Sequence, residues 1–193
     1  MNLLFMVAPY VYMFLIPAIT MRSFAEEKKT GTIELLLTRP ITEWQLVLGK
    51  FFASFSLVFF ALVPTLVYYF TIYQLGNPVG NLDSAGIAGS YIGLLCLGAS
   101  FTAVGIFTSS LTNNQIVSFI LSVFLCLFLF EGTSYLSQLV SNDYAFLISQ
   151  LSFSYHYTAL SKGVIDSRNF LFFISIVVFM LVSTRLVLIS RKW

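Results

Sequence analysis

Residues 51–73 read FFASFSLVFFALVPTLVYYFTIY, a run of 23 residues without a charged side chain. A helix needs about 20 predominantly apolar residues to cross the hydrocarbon core of a bilayer. The run also lacks the strict alternation of apolar and polar residues that marks a membrane β-strand. It therefore predicts a membrane-spanning helix.

Four more apolar runs of similar length satisfy the same criterion, at residues 3–20, 86–111, 116–136 and 170–189. The five runs predict an all-α polytopic membrane protein, a helical bundle with five spans. Because little sequence is left over for a separate soluble domain, we expect residues 1–193 to form a single transmembrane domain.

The composition supports this assignment and excludes other classes. Of the 193 residues 58% are hydrophobic and 9% are charged, whereas an ordinary globular chain carries about 25% charged residues. This balance excludes a soluble enzyme, a disordered tail and a nucleic-acid-binding protein. The net charge of +2 is too small to imply a polyanionic partner.

The basic residues predict the orientation of the bundle. Eight of the ten lie between the first two runs or at the carboxyl end of the last: Arg22, Lys28, Lys29, Arg39, Lys50, Arg185, Arg191 and Lys192. Loops rich in Lys and Arg stay on the cytoplasmic side. We therefore expect residues 21–50 and the C-terminus to be cytoplasmic, and Met1 and the loop 74–85 to lie outside.

The connection 137–169 is longer and more mixed in polarity than the others. We interpret it as a partly helical segment at the outer interface, with a re-entrant segment as the alternative. The connection 112–115 is short and polar, which predicts a tight hairpin between the third and fourth spans.

Two features inside the apolar runs are candidate sites. Glu131 is an acid near the outer end of the fourth span. It either ends the helix and faces outer water or lines a cavity, and an intramembrane acid is a functional candidate by default. Gly89 and Gly93 form a GxxxG spacing, which favours close helix packing against another span or another subunit.

Familiar catalytic and nucleotide motifs are missing from the sequence. It has a single histidine, His156, and no HExxH, GxSxG or paired-cysteine spacing. It also lacks GxxxxGK[ST], the loop that cradles ATP phosphates. We therefore expect no catalytic residues, no metal site and no cofactor in this chain, and any energy for work has to come from a partner.

Residues 22–50, RSFAEEKKTGTIELLLTRPITEWQLVLGK, are the most informative polar segment. Thr42 and Gln45 have the spacing of a capping box, which predicts a helix that starts at Thr42 and continues into the span 51–73, with a kink at Pro64. The segment is either a docking surface for a soluble partner or an amphipathic stretch resting on the inner leaflet.

This segment resembles the cytoplasmic coupling segment of ABC-2 type permeases, in which acids, a Gly-Thr pair, leucines and a proline follow in order. The matching residues are Glu26, Glu27, Gly31, Thr32, Glu34, Leu35, Leu36, Leu37 and Pro40. The same segment, together with residues 73–83 and 109–119, is similar to the gliding-motility-associated ABC permease subunit of Bacteroidetes.

The resemblance implies a permease of the bacterial inner membrane that couples to a separate ATPase subunit, which binds the ATP. It also implies a second membrane subunit with a periplasmic domain, or a homodimer. Family members resemble six-span proteins, and residues 1–20 match their second span. We therefore expect the first span of the family to be missing from this chain.

The function expected from the resemblance is that of the membrane permease subunit of an ATP-driven exporter linked to gliding motility. The alternative is a non-transporting membrane scaffold that recruits a soluble partner through residues 22–50. A membrane-embedded enzyme is disfavoured by the missing polar constellation.

Overall fold

The computed structural model describes residues 2–33, 41–75, 83–139, 148–163 and 166–190, and these contain helices and no strand. In chain order the helices are α1 (Asn2–Thr20), α2 (Ala25–Lys29), α3 (Glu43–Leu62), α4 (Leu66–Leu75), α5 (Ser84–Leu111), α6 (Gln115–Leu127), α7 (Thr133–Leu139), α8 (Phe153–Ser161) and α9 (Ser167–Ile189). A 3₁₀ turn, Val63–Thr65, joins α3 to α4, and a π-helical turn, Phe128–Gly132, joins α6 to α7.

Five helical stretches within the described residues are long and apolar enough to cross a membrane. They are Leu3–Lys29, Glu43–Leu75, Ser84–Leu111, Gln115–Ser137 and Ser167–Ile189. The prediction of an all-α polytopic bundle with five spans is confirmed.

Helix α5 is the centre of the bundle. It packs against α1, α3, α6, α8 and α9. In its most apolar 18-residue window 72% of the residues are buried, against 22–39% in the other four stretches. Its glycines and serines allow neighbouring backbones to approach closely, as small residues do in membrane helices.

The predicted start of α3 is confirmed by its hydrogen bonds. The N–H of Gln45 donates to Thr42 Oγ1 over 3.3 Å, and the N–H of Thr42 donates to Gln45 Oε1 over 3.0 Å. Pro64 lies in the 3₁₀ turn, because proline has no N–H to donate to an α-helical hydrogen bond. We define the collar end of the bundle by residues 21–33 and 41–50, and the second of these segments runs directly into the rest of α3.

Within the connection 137–169, helix α8 corrects the expectation of a segment at the outer interface for the described residues 148–163. The ring of Phe153 stacks on Phe101 with centroids 5.9 Å apart. Phe101 lies 17 residues into α5, about 25 Å from its start at 1.5 Å per residue. At its other end α8 brings the carbonyl of Leu160 against Gly89, so the helix runs antiparallel along α5.

This insertion matches the re-entrant alternative for the described residues 148–163. The physical reason is the glycine surface of α5, which leaves room for a second backbone where larger side chains would not. We call the end of the bundle at which α5 starts the pocket end.

Candidate functional site

The first candidate site is the collar end, where α2 is fastened to the last turn of α5. The backbone N–H groups of Phe24 and Ala25 donate to the side-chain oxygen of Ser109 over 2.9 and 3.1 Å. The same hydroxyl donates to the carbonyl of Met21 over 3.0 Å. Phe24, Ala25 and Ser109 are fully buried, so these bonds satisfy groups that water does not reach.

Two lysines extend this attachment. Lys28 donates to the backbone carbonyl of Ser110 at the end of α5. Lys50, on α3, donates to the carbonyl of Ser23 and forms an ion pair with Glu27 of α2 at 2.5 Å. Because both partners of that pair are mostly buried, α2 is connected to α3 as well as to α5.

An arginine joins α9 to the same end. The guanidinium of Arg185 lies 5.1 Å from the centre of the Trp44 ring, in the geometry of a cation–π contact. The amino-terminal turns of α3 are thus held from two sides, by α2 and by α9.

The predicted coupling residues divide into described and undescribed parts. Glu26 and Glu27 lie on α2, with Glu26 exposed and Glu27 mostly buried. Gly31 ends that helix with a φ of +73°, a left-handed conformation that glycine adopts without strain. Thr32 hydrogen-bonds to Thr30 over 2.9 Å. Glu34, Leu35, Leu36, Leu37 and Pro40 lie outside the described residues, and their role stays a prediction.

Sequence reasoning did not single out Ser109 as a link to the collar end. It lies in the stretch 109–119 that contributed to the family resemblance, but a serine in an apolar run carries no sign of a partner 85 residues away. The available signal was its position: Ser109 is a polar residue near the end of an apolar run, next to the short polar connection 112–115.

The second candidate site is at the pocket end, around Glu131. Glu131 lies in the π-helical turn, and its Oε1 accepts a hydrogen bond from the hydroxyl of Tyr10 on α1 over 2.7 Å. The chain continues as α7 beyond this turn, so the helix does not end at Glu131. Such π-turns occur frequently at functional sites.

Glu131 lines a partly enclosed cavity of about 450 Å³, which we call the Glu131 pocket. The pocket lies between α1, α5, α8 and the π-helical turn. Its charged lining residues are Glu131, Asp83 and Lys162, and its aromatic ones are Phe5, Tyr10, Phe130 and Tyr157. Ser90, Ser154, Thr158 and Ser161 contribute hydroxyl groups to it.

The glycine pair of α5 shapes one wall of this region. A Cβ on Gly89 would overlap the carbonyl oxygen of Leu160, and a Cβ on Gly93 would lie 3.2 Å from the Tyr157 ring. The neighbour at these glycines is therefore α8, which the sequence had not assigned as a span. This corrects the expectation of another span or another subunit at that position.

The fold and these sites define a class: a multi-pass helical membrane protein with a charged, hydrogen-bonded collar at one end and a polar cavity at the other. A family model described as "ABC-2 family transporter protein" matches residues 3–190. The chain belongs to the ABC-2 transporter family.

Two curated relatives support this family assignment. The probable multidrug ABC transporter permease YbhR of Escherichia coli strain K12 is 30% identical over 102 residues, which are 53% of this chain and 26% of that protein. The protein of the same description from Escherichia coli O157:H7 matches equally. The match thus spans about a quarter of the length of these relatives.

Proposed function

We propose that the chain is the permease subunit of an ATP-driven ABC-2 exporter of the bacterial inner membrane. ATP is bound and hydrolysed by a separate ATPase subunit. The observation that carries this proposal is the family match over residues 3–190. The narrower link to gliding motility rests on the similarity of residues 22–50, 73–83 and 109–119 to the gliding-motility permease subunit.

The contacts at the collar end support a mechanical role for α2. A push by the ATPase on α2 would reach α5 through Ser109 and Lys28, and α3 through the Glu27–Lys50 pair. Helix α5 runs from the collar end to the Glu131 pocket and packs on five other helices. It is therefore suited to carry a displacement from the ATPase side to the pocket.

In this proposal the collar end is cytoplasmic, and the start of α1 and Asp83 face the outside. The basic residues support that orientation. The complete transporter pairs this chain with a second copy or with a second membrane subunit that has a periplasmic domain. Nucleotide-driven change then alternates access to a site between helices, through contacts that differ between the two states.

The test is reconstitution of the full chain with the ATPase that copurifies with it. We expect no ATP hydrolysis by the purified chain alone, since it has no glycine-rich phosphate loop with a following lysine. We expect ATP hydrolysis only when the partner ATPase is present. ATPase activity of the highly purified chain would overturn the proposal. Stable ATPase binding without transport of any tested substrate would favour a membrane scaffold.

A further inference from the structure

We propose that the Glu131 pocket binds an organic cation with aromatic or alkyl substituents. As a statement about the transported substrate, the inference rests on the proposed function. Binding of the cation is a property of this chain and can be tested without transport. Three observations support the inference: the net charge of the lining residues, the aromatic walls, and hydroxyl groups whose protons are already donated to backbone carbonyls.

The charge of the pocket favours a cation. Glu131 and Asp83 supply two carboxylates, and Lys162 supplies one ammonium group. Glu131 accepts from the Tyr10 hydroxyl and Asp83 accepts from the N–H of Gly86, and neither makes an ion pair within the described ranges. The net negative charge is therefore left for a ligand to neutralise.

The walls supply aromatic surface near this charge. The rings of Tyr10 and Phe130 pack edge to face with centroids 5.9 Å apart, and Phe130 lies 6.4 Å from the Tyr157 ring. Aromatic faces attract cations, and quaternary ammonium groups are recognised by clusters of such rings. A carboxylate beside aromatic rings suits an organic cation better than a strongly hydrated metal ion.

The hydroxyl groups present acceptors to the ligand. Ser90 donates to the carbonyl of Gly86, Thr158 to that of Ser154 and Ser161 to that of Thr158. The Tyr157 hydroxyl donates to the carbonyl of Phe5. With their protons engaged, these oxygens are left with lone pairs, and their partial negative charge favours a cation over an anion.

The size of the pocket also suits an organic ligand. Its volume of about 450 Å³ lies within the range of about 300–1,000 Å³ typical of sites for drug-sized ligands. Among the residues that the structure describes, no group of three or more His, Cys, Asp or Glu side chains is placed to hold a metal ion. The chemistry therefore fits an organic cation.

The test uses two probes of the same shape and opposite charge, tetraphenylphosphonium and tetraphenylborate. Binding to the full chain in nanodiscs of zwitterionic lipid is measured by equilibrium dialysis, with empty nanodiscs subtracted. We expect saturable binding of the phosphonium and no saturable binding of the borate. Equal binding of both probes would overturn the proposal.

Charge variants then locate the site. Glu131→Gln, which keeps an acceptor for Tyr10, should weaken phosphonium binding by about five- to tenfold, the loss typical of a partly desolvated charge pair. Asp83→Asn keeps the helix cap and should weaken binding less, because Asp83 is exposed. Lys162→Gln should strengthen binding, because it removes a like charge.

The matched control is Asp166→Asn, an acid-to-amide change at the cap of α9 that does not line the pocket. It should leave phosphonium binding unchanged. Unchanged binding in Glu131→Gln, or an equal loss in Asp166→Asn, would contradict the pocket assignment. Phosphonium binding that depends on Glu131 but never stimulates the reconstituted ATPase would keep the site and remove the transport proposal.

Discussion

The backbone N–H of Phe24 donates to the side chain of Ser109 over 2.9 Å, across 85 residues of sequence. Phe24 precedes α2, and Ser109 lies in the last turn of α5, the most buried helix of the bundle. The charged segment and the central helix are therefore joined by a direct, buried contact. Any movement of α2 has to break this contact or carry α5 with it.

Replacing Ser109 tests this contact. Ser109→Ala leaves the buried N–H groups of Phe24 and Ala25 without their acceptor, which should lower the free energy of unfolding by about 1–3 kcal/mol. ATPase stimulation in the reconstituted complex should fall at the same time. The control is Ser110→Ala: Ser110 is equally buried, but its hydroxyl donates to the carbonyl of Phe107 in its own helix and, among the described residues, does not reach α2. Equal effects of both variants would contradict a specific role for Ser109.

The Glu27–Lys50 pair should contribute a measurable coupling energy. A double-mutant cycle combines Glu27→Gln with Lys50→Gln and measures unfolding in mixed micelles. The coupling free energy should be about 0.5–1 kcal/mol, the upper part of the range for surface ion pairs, because this pair is only partly exposed. Glu26→Gln in place of Glu27→Gln serves as the control, since Glu26 is exposed on the same helix. A coupling as large with Glu26 as with Glu27 would show that the ion pair is not the cause.

Charge reversal on α2 should separate docking from folding. Glu26→Arg places a cation on an exposed surface of α2, so it should weaken binding of the ATPase while the melting temperature of the chain stays within a degree or two. Copurification and thermal melting measure the two effects. Normal ATPase binding by the variant would remove Glu26 from the docking surface.

The packing of α8 on α5 can be tested at a glycine. Gly89→Ala drives a methyl group into the carbonyl oxygen of Leu160 and should destabilise the protein by about 1–3 kcal/mol. Gly49→Ala is the matched control, because, apart from its chain neighbours and its own helix backbone, no atom of another described residue lies within 4 Å of its added Cβ. In the helix interior that change should stabilise by about 0.5–1 kcal/mol. A neutral Gly89→Ala would mean that α8 does not lie against α5.

The orientation of the bundle is open to cysteine labelling. In a background with Cys96 and Cys126 replaced by alanine, Ser84→Cys should react with a membrane-impermeant maleimide in intact cells. Lys29→Cys should react only after the membrane is permeabilised, because its segment, residues 21–50, holds five of the ten basic residues. Both positions are exposed, so burial does not decide the result. The reverse pattern would invert the proposed topology.

Local chemistry made part of the fold predictable. Apolar runs of sufficient length identify the five membrane helices, because crossing a bilayer depends on hydropathy within one segment. The start of α3 at Thr42 was predictable for a similar reason, since a capping box needs only two residues three positions apart.

What each helix faces could not be read in the same way. Lipid and protein interior are both apolar, so no polar face marks the lipid-exposed surface of a span. The central place of α5, the position of α8 against Gly89 and the pocket around Glu131 depend on contacts between distant segments. A serine hydroxyl such as that of Ser109 looks the same in the sequence whether it bonds its own helix or another one.

The amino-acid sequence by itself therefore determined that this protein is an all-helical, five-span membrane protein with one charged segment. The tertiary structure alone decided that this segment is fastened to α5 and that Glu131 lines a cavity. The physical reason is range: hydropathy and capping act within a few residues, whereas the Ser109 and Tyr10–Glu131 hydrogen bonds join groups 85 and 121 residues apart.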